Sequence, residues 1–112
     1  MSGPDLKNLF DGIDAAATEE VFTELAAGPG FRLERIVSTG QVTPDGEWYD
    51  QDTAEWVMVV QGRAELQFEG EEHARALGPG DYVFIPAHSR HRVTRTDADA
   101  PTVWLALHFE ET

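Results

Sequence analysis

The apolar residues of the chain fall in short runs with a two-residue period, separated by turn-forming residues. FRLERIV (31–37) puts Phe31, Leu33, Arg35 and Val37 on one face and Arg32, Glu34 and Ile36 on the other. EWVMVVQ (55–61) is apolar at consecutive positions, which suits a strand covered on both faces. After Gly62, RAELQF (63–68) alternates cleanly, with Ala64, Leu66 and Phe68 inward. EGEE forms a hairpin turn, HARAL a short strand and GPGD (78–81) a second turn. DYVFIP (81–86) is a strand stopped by Pro86, which has no N–H to give a ladder. SRHRVTRT (89–96) and TVWLALHF (102–109) follow, parted by the loop DADAP. Seven or eight short antiparallel strands with turns every eight to twelve residues predict an all-β sandwich or barrel. A double-sheet jelly roll would leave few open edges.

The first 30 residues do not share this rhythm. Residues 1–18 are polar and show no strong period, so they are expected to be irregular or partly helical. EEVFTEL reads equally as a short helix or a strand, and GPG (28–30) ends it. The chain therefore divides into an N-terminal segment, 1–30, contributing an edge strand or a dimer contact, and a β-barrel, 31–112.

Composition narrows the partners. At 112 residues and 41% apolar content the chain has material for one core. One lysine and seven arginines against 21 acidic residues leave a formal charge of −13, which repels nucleic-acid phosphates and anionic membranes. No cysteine is present, which removes disulfides, thiolate metal sites and cysteine nucleophiles. The start, MSGPDLKNLF, has no signal-peptide pattern, and a cytoplasmic location is the expectation.

Candidate chemistry sits where strands meet. Glu55 shares a face with Val57 and Val59; a carboxylate on an inner face must be paired or bound, whereas one at a strand end can reach water. His91 lies on the strand after Pro86, as an inward core residue or a ligand. His88 occupies the connecting turn, His73 the surface, and His108 alternates with Trp104 and Ala106. Trp48, Tyr49 and Trp104 are candidate pocket walls. Arg35, if its face is inward, could pair with Glu55 or hold a substrate carboxylate; if the Glu34 face is inward, it is solvated.

These residues carry a resemblance. The run Gly80, DYVFI, Pro86, Ala87, His88, Ser89, Arg90, His91 resembles the second motif of the cupin superfamily, G-x5-P-x-G-x2-H-x3-N, with His91 at the metal-binding histidine, His88 at the turn glycine and Arg95 at the asparagine. Glu55, WVMVVQ and Gly62 match the end of the first motif, G-x5-H-x-H-x3,4-E-x6-G. The H-x-H pair itself is missing: one spacing puts it on Trp48 and Asp50, the other on Tyr49 and Gln51. The resemblance implies a single-domain jelly-roll barrel, a homodimer and a site at His91 and Glu55 with two open outcomes: a divalent ion (Zn, Mn, Fe or Ni), or a metal-free, hydrogen-bonded acid–base or structural pair. Asp50 or Gln51 would add oxygen donors, with His88 and His108 as accessories. A set poorer in imidazole holds late transition metals less tightly. It also implies a small-molecule ligand and three open readings. These are a metal-dependent lyase, isomerase or oxygenase with Glu55 and His91 as catalytic candidates, a non-catalytic binding or sensor protein, and a structural cupin with a degenerate site.

Overall fold

A computed structural model describes residues 3–111. Its strands are β1 (Val21–Gly28), β2 (Phe31–Ser38), β3 (Ala54–Gln61), β4 (Ala64–Phe68), β5 (Arg75–Leu77), β6 (Tyr82–Ile85), β7 (His91–Thr96) and β8 (Thr102–Phe109). Every pairing is antiparallel, and no helix occurs among the described residues. The fold is the all-β jelly roll. A five-stranded sheet, β1-β2-β8-β3-β6, faces a three-stranded sheet, β5-β4-β7.

Inner-face residues of both sheets form the core: Val57 and Val59 of β3, Ala64 and Leu66 of β4, Leu77, Ile85, and Trp104 and Ala106 of β8. Strand β3 departs from the expectation of two covered faces. Glu55, Val57 and Val59 are buried, while Trp56, Met58 and Val60 are half-buried on the outer side. There Trp56 packs against Tyr82, ring centroids 5.4 Å apart.

The described part of the N-terminal segment, residues 3–30, takes no helix. EEVFTEL becomes the start of β1, the edge strand, paired with β2 from Val21↔Val37 to Gly28↔Phe31 with a bulge between Glu24 and Ala26. Residues ahead of it run as turns held by side chains, with Asn8 and Asp14 accepting from Phe10 N and Ala16 N.

Arg35 explains how this arm is tied down, and corrects its expected role. It faces away from the sheet-to-sheet interior, and its Nη1 donates to the carbonyls of Leu9 (2.8 Å) and Asp11 (2.7 Å). It neither pairs with Glu55 nor lines the pocket. The physical reason is the period-two choice on β2: Glu34 and Ile36 point inward, so Arg35 points to the arm, whose carbonyls lack strand partners. Thr39 adds a second tie to Ala17 O at 2.7 Å.

Candidate functional site

The β3–β8 register places Glu55 opposite His108, Val57 opposite Ala106 and Val59 opposite Trp104, all inward. From β2, Glu34 and Ile36 flank β8. The opposing sheet supplies Leu66 of β4 and His91 and Val93 of β7. Between the sheets lies a cavity of about 90 Å³, walled by these side chains with Tyr49, Gln51 and Ile85 and, at its mouth, Glu20 and Phe22.

Two imidazoles and two carboxylates meet there in a chain. His91 Nε2 lies 3.5 Å from Glu55 Oε1. Glu55 Oε2 lies 3.8 Å from His108 Nε2, which donates to Glu34 Oε1 at 2.9 Å. All are shielded: His91 is 5% exposed, Glu55 and His108 7% each. His91 Nδ1 donates to Ser89 O at 2.8 Å, so the ring is held with Nε2 toward Glu55 and the cavity. Tyr49 stacks on the same ring, centroids 5.6 Å apart.

Burial alone would depress the pKa of His91, but the Glu55 carboxylate and the Ser89 carbonyl outweigh it and hold the imidazolium above the ordinary histidine value. A raised folded-state pKa contributes stability that is complete below the unfolded value and is lost as pH rises through the folded one. The stability difference between the wild type and His91→Gln is therefore expected to be largest below the ordinary histidine value of about 6.5 and to shrink as the pH rises above it, as read from urea denaturation. A difference that grows with pH would contradict this pairing. The phenol of Tyr49 is also pushed up, by burial first and then by the charge of Glu20 and Glu55, and stays neutral.

The connector before β3 resolves the missing histidine pair. It runs extended beside β7, with Tyr49 and His91 exchanging backbone hydrogen bonds of 2.7 and 3.1 Å. Alternation then turns Tyr49 and Gln51 toward the cavity and Trp48 and Asp50 away. So a phenol and an amide take the places of the two imidazoles. Two expected site residues are thereby corrected. Trp48 lies outside, under the guanidiniums of Arg90 and Arg92 at 5.7 and 5.8 Å. Asp50 is exposed and accepts from His88 Nδ1 at 2.8 Å.

His88 itself is exposed at the rim, not inside, with Asp52 3.6 Å from its other nitrogen. Its φ of 62° is left-handed, the conformation that a glycine would supply at that turn. His108 does enter the site, and Trp104 lines it with Nε1 donating to Ser38 Oγ at 3.1 Å. Glu34, Glu20 and Phe22 are members that the sequence did not single out. Period two offered Glu34 as the alternative inner face, but nothing local signalled Glu20, which arrives through a 2.5 Å hydrogen bond from Ser38 Oγ.

As arranged, these residues do not form a ready ligand set for a divalent ion. Among the described residues no three histidine, aspartate or glutamate side chains are placed as a ligand set. His108 Nε2 is engaged by Glu34, and Glu55 divides its two oxygens between two rings. Tyr49 and Gln51 replace the strong nitrogen donors.

A two-sheet jelly roll with an inward histidine on β7 and an inward glutamate opening β3 defines a cupin-type barrel. The chain belongs to the cupin family, whose domain model matches residues 36–108. A solved structure from Ralstonia eutropha JMP134, named a "putative mannose-6-phosphate isomerase", is 46% identical over 96% of this chain and 100% of its own, with a TM-score of 0.94. A cupin superfamily protein of Desulfitobacterium hafniense DCB-2 shares the fold at 17% identity, covering 88% of this chain and 84% of its own (TM-score 0.72). So does an RmlC-like cupin of Methanocaldococcus jannaschii at 15% identity, covering 88% and 86% (TM-score 0.68). No curated protein matches the chain. No helix among the described residues is long and apolar enough to cross a membrane.

Proposed function

We propose that the cavity binds a small polar carbonyl compound and that Glu55 and His91 move protons on it, in an isomerase-type reaction. The observation that carries this is the shielded His91–Glu55 pair at 3.5 Å, its ring fixed through Nδ1 and its reactive edge at the cavity. Shifting a carbonyl to the neighbouring carbon requires one proton taken from that carbon and one given to the carbonyl oxygen. Glu55 as carboxylate suits the first task, and His91, held protonated more strongly than a free histidine, suits the second. The resulting enediol collapses by the reverse transfers on the adjacent atoms, and both groups end as they began. The isomerase name of the Ralstonia relative supports the reaction type.

The test is deuterium wash-in. In D₂O with glyceraldehyde or dihydroxyacetone, wild-type protein is expected to place deuterium beside the carbonyl faster than buffer, and His91→Gln is expected to lose this. A wild-type rate no faster than buffer would leave binding without turnover as the function, and a faster rate kept in His91→Gln would remove His91 from the reaction. A divalent ion is the second reading, favoured by the Nδ1–H bond of His91 to a backbone carbonyl, as metal-bound imidazoles show. Zn, Mn, Fe or Ni at one per chain by elemental analysis, lost in His91→Ala, would put it first.

We also infer a homodimer through β1. That edge strand has nearly every residue exposed on both faces, including Val21, Phe22 and Leu25. Light scattering at micromolar concentration is expected to give twice the chain mass; the monomer mass would count against it.

A further inference from the structure

The lining of the cavity says what kind of molecule enters it. Its charged side chains are Glu20, Glu34 and Glu55, with His91 and His108; no arginine or lysine lines it. Arg32, half-exposed, sits outside the lining with its Nε 3.8 Å from Glu34 Oε2. Arg35 is turned to the N-terminal arm. Even with both imidazoles protonated, the lining residues carry one more negative than positive charge, which the half-exposed Arg32 beside Glu34 offsets only from outside the cavity.

A second observation concerns hydrogen bonds. Gln51 Oε1 is buried against the cavity with no partner, an acceptor waiting for a donor. Together with the carboxylates it makes the wall rich in acceptors. Phe22 at the mouth and Tyr49 beside it offer aromatic surface, which tolerates a cation as readily as a carbon chain. The cavity, about 90 Å³, is also small beside the roughly 300–1,000 Å³ of sites that engulf drug-sized ligands.

We propose that the site takes a small, uncharged or cationic ligand presenting hydroxyl or ammonium donors, and excludes phosphorylated and other anionic compounds. This rests on the reading of the cavity as the functional site. It separates this chain from the phosphorylated sugar in the name of its 46%-identical relative.

Three probes of equal carbon number isolate the charge: 3-amino-1,2-propanediol, glycerol and glycerol 3-phosphate. Binding at neutral pH is followed by NMR of the His91 and His108 rings, assigned with His→Gln variants. The aminodiol is expected to bind at least tenfold more tightly than the phosphate, with glycerol between them. Glu20→Gln, outside the proposed proton-transfer pair, is expected to narrow that gap at least threefold, and Gln51→Leu to weaken the aminodiol and glycerol alike. Phosphate binding as tight as the aminodiol, or a gap unmoved by Glu20→Gln, would overturn the selectivity while leaving the cavity as the site. If no probe moves either ring, the cavity reading fails and the selectivity with it.

Discussion

Glu55→Gln is expected to slow deuterium wash-in by about 10²–10⁴-fold, the range that a positioned acid or base contributes. The amide keeps the shape of the carboxylate, so the β3–β8 register and the cavity wall should survive. It cannot accept the proton, and it withdraws the charge that raises the His91 pKa, so both proposed roles are weakened at once. Losing a charged partner for two buried imidazoles should cost about 1–3 kcal/mol. Circular dichroism and urea denaturation would separate that loss from the chemical one. A folded Glu55→Gln protein with wild-type wash-in would remove Glu55 from the reaction.

Gly62→Ala is expected to be the most damaging small substitution in the barrel. Gly62 has φ +88°, and a Cβ there would meet Thr102 Cα at 2.8 Å and Pro101 O at 3.0 Å. An L-residue in that conformation costs about 1–2 kcal/mol by itself. The clash adds more, because beside the Thr102 hydroxyl two of the atoms it meets are backbone and cannot swing aside. Gly46 supplies the control: its φ is +83° and its Cβ would touch nothing within 4 Å. Gly46→Ala therefore measures the conformational cost alone, and Gly62→Ala is expected to exceed it by at least about 2 kcal/mol, compared by urea denaturation. Equal losses would show that the approach of β8 does not constrain Gly62. The effect reaches the site because Gly62 closes β3 just beyond its bulge at Val59/Gln61, where the pairing that sets Glu55 opposite His108 is anchored.

Much of this was legible in the sequence. The strands follow from alternation and punctuation, since RAELQF and TVWLALHF bury the residues their period demands. Motif spacing distinguished His91 from His88, and the backbone gives the reason. One opens a strand facing inward; the other sits in a left-handed turn. What stayed hidden were choices that a period of two leaves symmetric. On 31–38 either face could be inner. The decision came from distant partners, the Leu9 and Asp11 carbonyls for Arg35 and the His108 ring for Glu34. In the connector, one residue of slip separated Trp48 and Asp50 from Tyr49 and Gln51, and only the bridge to His91 fixed it. Glu20 depends on a contact across 18 residues, which no local pattern announces.

The strap that brings Glu20 and Phe22 to the mouth lies ahead of residue 36, where the family match begins, and so does Glu34. A protein trimmed to the matched span would keep His91, Glu55 and His108 but lose one wall of the cavity. The groups proposed to move protons thus lie inside the matched span, while the residues proposed to choose the ligand are split between it (Tyr49, Gln51) and the strap ahead of it (Glu20, Phe22). Drift in the strap can retune which molecules enter while the barrel, and whatever reaction it performs, stays as it is. Two cupins with the same barrel motifs need not share a substrate.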